Sequence, residues 1–243
     1  MNFITLNRAH EIRANGHEIK VLKVCVASIK IEIDCLYGSH FNQFKAYLKD
    51  FQTPDIVLTI SQEDIDHERS KHPEMKTPDI VVENPRVTVT FDYGCLEPFV
   101  ALHKLAEAII PFEVFLMHGA VVEKDGFAYM FIAPSGTGKS TRVQLWKECY
   151  PDSIIVNGDK PLIKNSSEAI LACGSPWCGK EGWNTNTMIP LRAIFLLERA
   201  AENDSSTIEE ISIGEAFPFL LQQTFCPTNP RIRKIFRTFT IIR

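Results

Sequence analysis

The chain has 243 residues, 45% of them hydrophobic and 23% charged, enough to bury a sizeable core as one large domain or two small ones. Its net charge of −4 and pI of about 6.0 come without a basic patch, which argues against nucleic acid as a partner. No apolar run approaches the ~20 residues of a membrane span. Met1–His10 lack the apolar core of a signal peptide. Seven scattered cysteines point to free thiols in a reducing cytoplasm.

The first regular pattern is Ser28–Cys35. Ile29, Ile31, Ile33 and Cys35 share one face and Lys30, Glu32 and Asp34 the other, as in a half-buried strand. Ile19–Val26 is its expected antiparallel neighbour. Phe41, Phe44, Leu48 and Phe51 recur at helical spacing and predict a core-facing helix. Asp55–Ile60 reads as a short strand, and Ser61-Gln-Glu-Asp64 as a helix start. The charged stretch from Asp66 to Thr77, with His67, His72 and Pro73, reads as a solvated loop or frayed helix. Asp79–Glu83 and Arg86–Phe91 predict a hairpin. Cys95–Ile110 predicts a helix that tolerates Pro98 in its first turn and stops at Pro111. A soft boundary is expected here, between an N-terminal α+β lobe over 1–95 and a second region over 96–243.

Val114–Phe127 predicts a strand pair closed by an Asp125-Gly126 turn, with His118 inside an apolar strand, where a histidine is ordinarily a hydrogen-bonded core residue. Then comes Phe127-Ala-Tyr-Met-Phe-Ile-Ala133-Pro-Ser-Gly-Thr-Gly-Lys139-Ser-Thr141. An apolar run ends in a small glycine-rich turn, and a helical pattern with Val143, Trp146 and Tyr150 follows at once. In that context the motif predicts a phosphate-binding loop made by Ser135, Gly136, Thr137, Gly138, Lys139, Ser140 and Thr141. Lys139 would reach the outer phosphates of ATP or another nucleoside triphosphate, and Ser140 would hold magnesium. Ala133 stands where the usual first glycine would be. The plain alternative is a glycine-rich turn with a surface lysine.

Ser153–Asn157 reads as a buried strand ending in Gly158-Asp159-Lys160-Pro161. An acid there suits a second magnesium-directing group; the alternative is ordinary turn chemistry. Leu162–Lys164 and Ala169–Cys173 suggest another hairpin. The glycine-rich loop Gly174–Asn186 holds Trp177, Trp183, Lys180 and Glu181 and is read as a mobile substrate or phosphate-contact loop. Pro190–Glu198 is an apolar strand carrying Arg192, grouped with Lys180 as a substrate contact. Ser212-Ile-Gly-Glu215 is a capping box for a helix kinked at Pro218. The tail from Arg231 reads as a last helix or strand, with its final element shortened.

Three anchors together resemble the HPr kinase/phosphorylase-like family, whose nucleotide core also occurs in phosphoenolpyruvate carboxykinases. They are Met117-His118-Gly119, Ser135–Ser140 and Asn157-Gly158-Asp159, and the likeness covers roughly residues 95 to 225. The resemblance implies an α/β fold with a phosphate-loop nucleotide-binding core on a mixed β-sheet. It implies an ATP- and magnesium-dependent phosphotransferase acting on a serine hydroxyl of a small protein or peptide, or on a small-molecule acceptor. In that family two adjacent acids end the strand after the loop, one serving as base and one helping the metal. Here the first position is Gly158, which leaves Asp159, Glu181 and His118 as candidate catalytic groups and Ser140 with Asp159 for the metal. A nucleotide-binding regulatory or scaffold protein without turnover is the rival expectation, and a homo-oligomer is left open.

Overall fold

The computed structural model describes residues 20–39, 41–71, 82–84, 87–89, 93–198, 207–226, 228–236 and 239–242. It is a mixed α/β structure that divides into two compact units, 1–105 and 106–243.

In the first unit β1 (Lys20–Val26) and β2 (Ile29–Cys35) form an antiparallel hairpin, and β3 (Ile56–Thr59) runs parallel to β2. The alternation seen in the sequence is the burial pattern: Ile29, Ile31, Ile33 and Cys35 are all buried. The predicted helix from Phe41 is only a 3-10 segment, Asn42–Tyr47. The chain beyond it is captured by the edge of β1 instead, where the Lys49 amide donates to the Lys23 carbonyl and Leu48 bridges Val24. α1 (Gln62–Ser70) starts where a helix start was expected, at Ser61, which closes a capping box with Asp64, and it extends through residues read as a loop or frayed helix; His67 on it is exposed, while His72 lies outside the described residues. β4 (Val82–Asn84) and β5 (Val87–Val89) pair antiparallel; the rest of the predicted hairpin lies outside the described residues. α2 (Glu97–Ala108) contains Pro98 in its first turn. The fully buried Glu97 carboxylate accepts from the backbone amides of Leu36, Tyr37 and Gly38.

The second unit is built on an eight-stranded mixed sheet. Its strands are β6 (Val114–Leu116), β7 (Ala120–Lys124), β8 (Phe127–Ile132), β9 (Ile154–Asn157), β10 (Leu162–Asn165), β11 (Ile170–Cys173), β12 (Met188–Leu196) and β13 (Ile241–Ile242). The spatial order is β6-β10-β11-β12-β8-β7-β9, with β13 on β12. β8 and β12 run parallel at its centre. The sheet curls: Asn157, at the end of edge strand β9, donates from its carboxamide to Ser175, two residues beyond β11.

Side chains of the central strands alternate between two cores. Ala128, Met130 and Ile132 of β8 face one, which also holds Ala216 and Leu220 of α4 (Ile213–Gln222) and Ile232 and Ile235 of α5 (Pro230–Ile235). Phe131 and Tyr129 face the other, with Val143 and Trp146 of α3 (Lys139–Cys149). Among the described residues no helix is long and apolar enough to cross a membrane.

The run from Val114 to Lys124 is not one strand pair, as the sequence suggested. β6 pairs with β10, whereas β7 pairs with β8 and β9. The break is at Met117–Gly119, where the His118 amide donates to the Gln223 carbonyl and the Gly119 amide to the Asp159 carbonyl. Gly119 is required there by space: a Cβ would lie 2.5 Å from Met130 Cε and 2.9 Å from the Phe131 carbonyl oxygen. The Asp125-Gly126 turn between β7 and β8 is as predicted, with φ of 54° and 80°.

Candidate active site

β8 ends at Ile132, the loop 133–138 follows, and α3 begins at Lys139. Gly136 and Gly138 have φ of 78° and 112°, a region L side chains rarely enter, and open space lies beside both. Gly138 is the N-cap of α3 and supplies no side-chain cap, so the first-turn amides and the positive end of the helix dipole face outward. Ser135 is exposed, Thr137 and Ser140 are half-buried, and Thr141 is exposed on the first turn. The Lys139 ammonium folds back over the loop and donates to the Ala133 carbonyl at 2.9 Å. Burial lowers its pKa, the charge of Asp159 opposes that shift, and Lys160 adds to it.

The strand-end acid is close enough for its charge to act on that lysine. Asp159 Oδ1 lies 3.2 Å from His118 Nε2, and Lys160 Nζ donates to Oδ2 at 2.5 Å. Burial opposes ionisation of Asp159, but the hydrogen bonds from His118 and Lys160 outweigh it and hold the carboxyl down at about 2. A depressed carboxyl stabilises the fold fully above its unfolded value, ~3.9, and that contribution is lost as the pH falls towards 2. His118 therefore sits at a break between strands, half-exposed, with its imidazole on Asp159 rather than in the core.

Asn157 organises this strand end, a role the sequence reading did not assign. Its side chain is fully buried. Oδ1 accepts from the amides of Asp159 (2.9 Å) and Lys160 (2.7 Å), while Nδ2 donates to the Ser175 carbonyl (2.9 Å) and hydroxyl (3.2 Å). An Asn two residues before the acid is an Asx-turn signal and was the available clue. Asn157→Ala removes these four hydrogen bonds and should cost about 1–3 kcal/mol, read as a fall in Tm. An unchanged Tm would show that water replaces the carboxamide there.

The loop 174–186 is pinned rather than free. Trp177 and Cys178 are buried, Trp183 packs on the α3-side core, and Asn184 donates to Cys178 Sγ at 3.0 Å. Its tip holds Lys180, whose side chain is 90% exposed, and Glu181, which is 20% exposed and 4.0 Å from the Lys180 ammonium. Gly158 has a packing reason: a Cβ there would lie 3.0 Å from the Cys178 carbonyl oxygen and 3.4 Å from Trp183 Cβ. Gly158→Asp presses a carboxylate onto that carbonyl and should lower stability by about 1–3 kcal/mol. Equal or higher stability in chemical denaturation would mean the loop yields without cost.

Arg192 is not brought to this site. It lies at the level of Ala128 and Tyr129, near the start of β8 rather than its loop end at Ile132, and its guanidinium stacks 5.4 Å above Phe127. There it lines a cavity of about 320 Å³ with Glu168, Ile170 and Phe239, away from Lys139 and Asp159. The pairing of Arg192 with Lys180 as substrate contacts is thus corrected: parallel pairing with β8 puts residue 192 at the wrong end of the sheet.

A scan of the sequence against protein-family models finds no match, and a search of curated proteins finds no significant relative.

Proposed function

We propose that the second unit binds a nucleoside triphosphate at the 133–141 loop and transfers its terminal phosphoryl group to a hydroxyl. The acceptor is a serine of a small protein or peptide, or a small molecule, in the manner of the HPr kinase-like family whose core the fold would share. What carries this reading is the meeting of three parts: an uncapped helix start behind two left-handed glycines, a lysine at its first position, and an ionised acid near enough for its charge to act on that lysine. The outward amides and the Lys139 ammonium suit a polyphosphate.

Magnesium is the implied cofactor. Among the described residues no three His, Cys, Asp or Glu side chains gather as a metal cage. Magnesium asks for less: one or two protein oxygens, with phosphates and water completing its octahedron. The Ser140 hydroxyl and Asp159 are the residues that would hold it. When bound, the ion neutralises charge on the phosphates. Lys139 would leave the Ala133 carbonyl to meet the outer phosphates, and Asp159 would keep the lysine charged.

One observation favours the alternative, a nucleotide-binding protein without turnover. Asp159 already has a cationic partner in Lys160 and a second donor in His118, with the charge of Lys139 nearby. Both readings require nucleotide binding. ATP with magnesium at a hundred times Kd should add about 2.7 kcal/mol and raise Tm by several degrees. If no nucleotide with magnesium shifts Tm, both are wrong.

A further inference from the structure

Asp159 is spanned by an arch of its own chain. The Lys160 amide donates to the Trp177 carbonyl at 3.1 Å and the Gly158 amide to the Trp183 carbonyl at 2.9 Å. Residues 178–182 therefore cross over the acid between two backbone anchors. Gly179 makes the crossing close, with φ of +75° and a would-be Cβ only 3.1 Å from the Asp159 Cβ. That same point is 3.6 Å from the Asp159 carboxyl carbon and 3.6 Å from Glu181 Oε2. Both carboxyl groups thus come close to Gly179, where a side chain would meet them. Of the two charged residues on the tip, Lys180 is 90% exposed and Glu181 only 20%, so one turns outward and the other inward.

The arch also explains the missing acid at position 158. The space a side chain would need there is taken by the Cys178 carbonyl and Trp183. An acid at 158 and an arch carrying Glu181 compete for the same ground, and this chain has the arch. The two carboxylates it ends up with stand in different company. Asp159 is held by His118 and Lys160, whose contacts favour its charged form and make it a weak base for a hydroxyl proton. Glu181 has the Lys180 ammonium at 4.0 Å, out in solvent.

We propose that Glu181 is the second carboxylate of this site and takes the proton of the acceptor hydroxyl, while Asp159 provides fixed charge beside Lys139. The inference rests on the phosphoryl-transfer reading above. In the step, the acceptor oxygen bonds to the terminal phosphorus of ATP. The bond from that phosphorus to the bridging oxygen breaks and leaves its electron pair on ADP. The hydroxyl proton passes to the Glu181 carboxylate. Water, as the simplest hydroxyl, gives inorganic phosphate by the same route.

The test uses the full chain, ATP, magnesium and water as acceptor. Phosphate release is followed from about pH 5 to about pH 9 for wild type, Glu181→Gln and Glu181→Asp, with the ATP-induced Tm shift read on each sample. The expected wild type shows slow release with an acid limb. Glu181→Gln should lose about 10²–10⁴-fold in rate together with that limb, Glu181→Asp should recover part of both, and all three should keep the Tm shift. The proposal is overturned if Glu181→Gln matches wild type in rate and pH profile, or loses the Tm shift. It is also overturned if wild type shifts with ATP yet releases no phosphate at any pH. A wild type that does not respond to ATP at all sinks the nucleotide reading instead, and this inference with it.

Discussion

Asp159→Asn should lower phosphoryl transfer by about 10²–10³-fold while leaving the ATP-induced rise in Tm in place. The substitution keeps the shape of the side chain and one acceptor oxygen. It removes the charge that His118 Nε2 and Lys160 Nζ approach at 3.2 and 2.5 Å. It also removes the charge that sustains the Lys139 ammonium against burial and against the neighbouring Lys160. Two clustered lysines would then lack their common counter-ion just where negative charge must be steered in transfer. The measurement is transfer from γ-labelled ATP to water, or to an acceptor once identified, beside calorimetric Tm values. Transfer at the wild-type rate would show that the acid takes no part in the chemistry.

Lys139→Ala is the second large effect. It should weaken ATP binding by about 10–150-fold, because a hydrogen bond to a charged group is worth roughly 1.5–3 kcal/mol. The Tm rise at moderate ATP concentration should disappear. The fold itself should lose little: in the free protein the ammonium donates to the Ala133 carbonyl, beside a loop in which Pro134, Ser135 and Gly136 are exposed. An Ala variant that binds ATP as tightly as wild type, by isothermal titration, would place the phosphates elsewhere.

The features legible from sequence were those in which nearby residues decide the outcome. The alternation Ile29-Lys-Ile-Glu-Ile became β2, because period-2 burial is a local property of an extended chain. The helix start at Ser61 and the capping box at Ser212/Glu215 formed as read, since each is closed within four residues. Asp125-Gly126 formed the hairpin turn. The glycine-rich turn fell between a strand and a helix, as its neighbours required.

The misreadings share a cause in long-range contact. The aromatic stripe from Phe41 has helical spacing, yet β1 offered an open edge and took Leu48 and Lys49. The loop 174–186 looked mobile from its glycines, but Asn157, Ser175 and the two tryptophans tie it down. Arg192 was grouped with Lys180 as a substrate contact, and the parallel pairing of β12 with β8 holds it beside Ala128 and Tyr129 instead.

By itself, then, the sequence determined the local chemistry: a phosphate-suited loop after an apolar strand, an acid at the end of the next strand, and a glycine where a second acid was expected. Tertiary structure decided which of those groups meet. Gly119 allowed the chain to run close against β8, beside the point where His118 meets Asp159. The hydrogen bonds flanking Asp159 laid the 178–182 arch over it and turned Glu181 inward. The physical reason is range: strand alternation, caps and turns are settled within a few residues, whereas a site is assembled by strand order and close backbone approach.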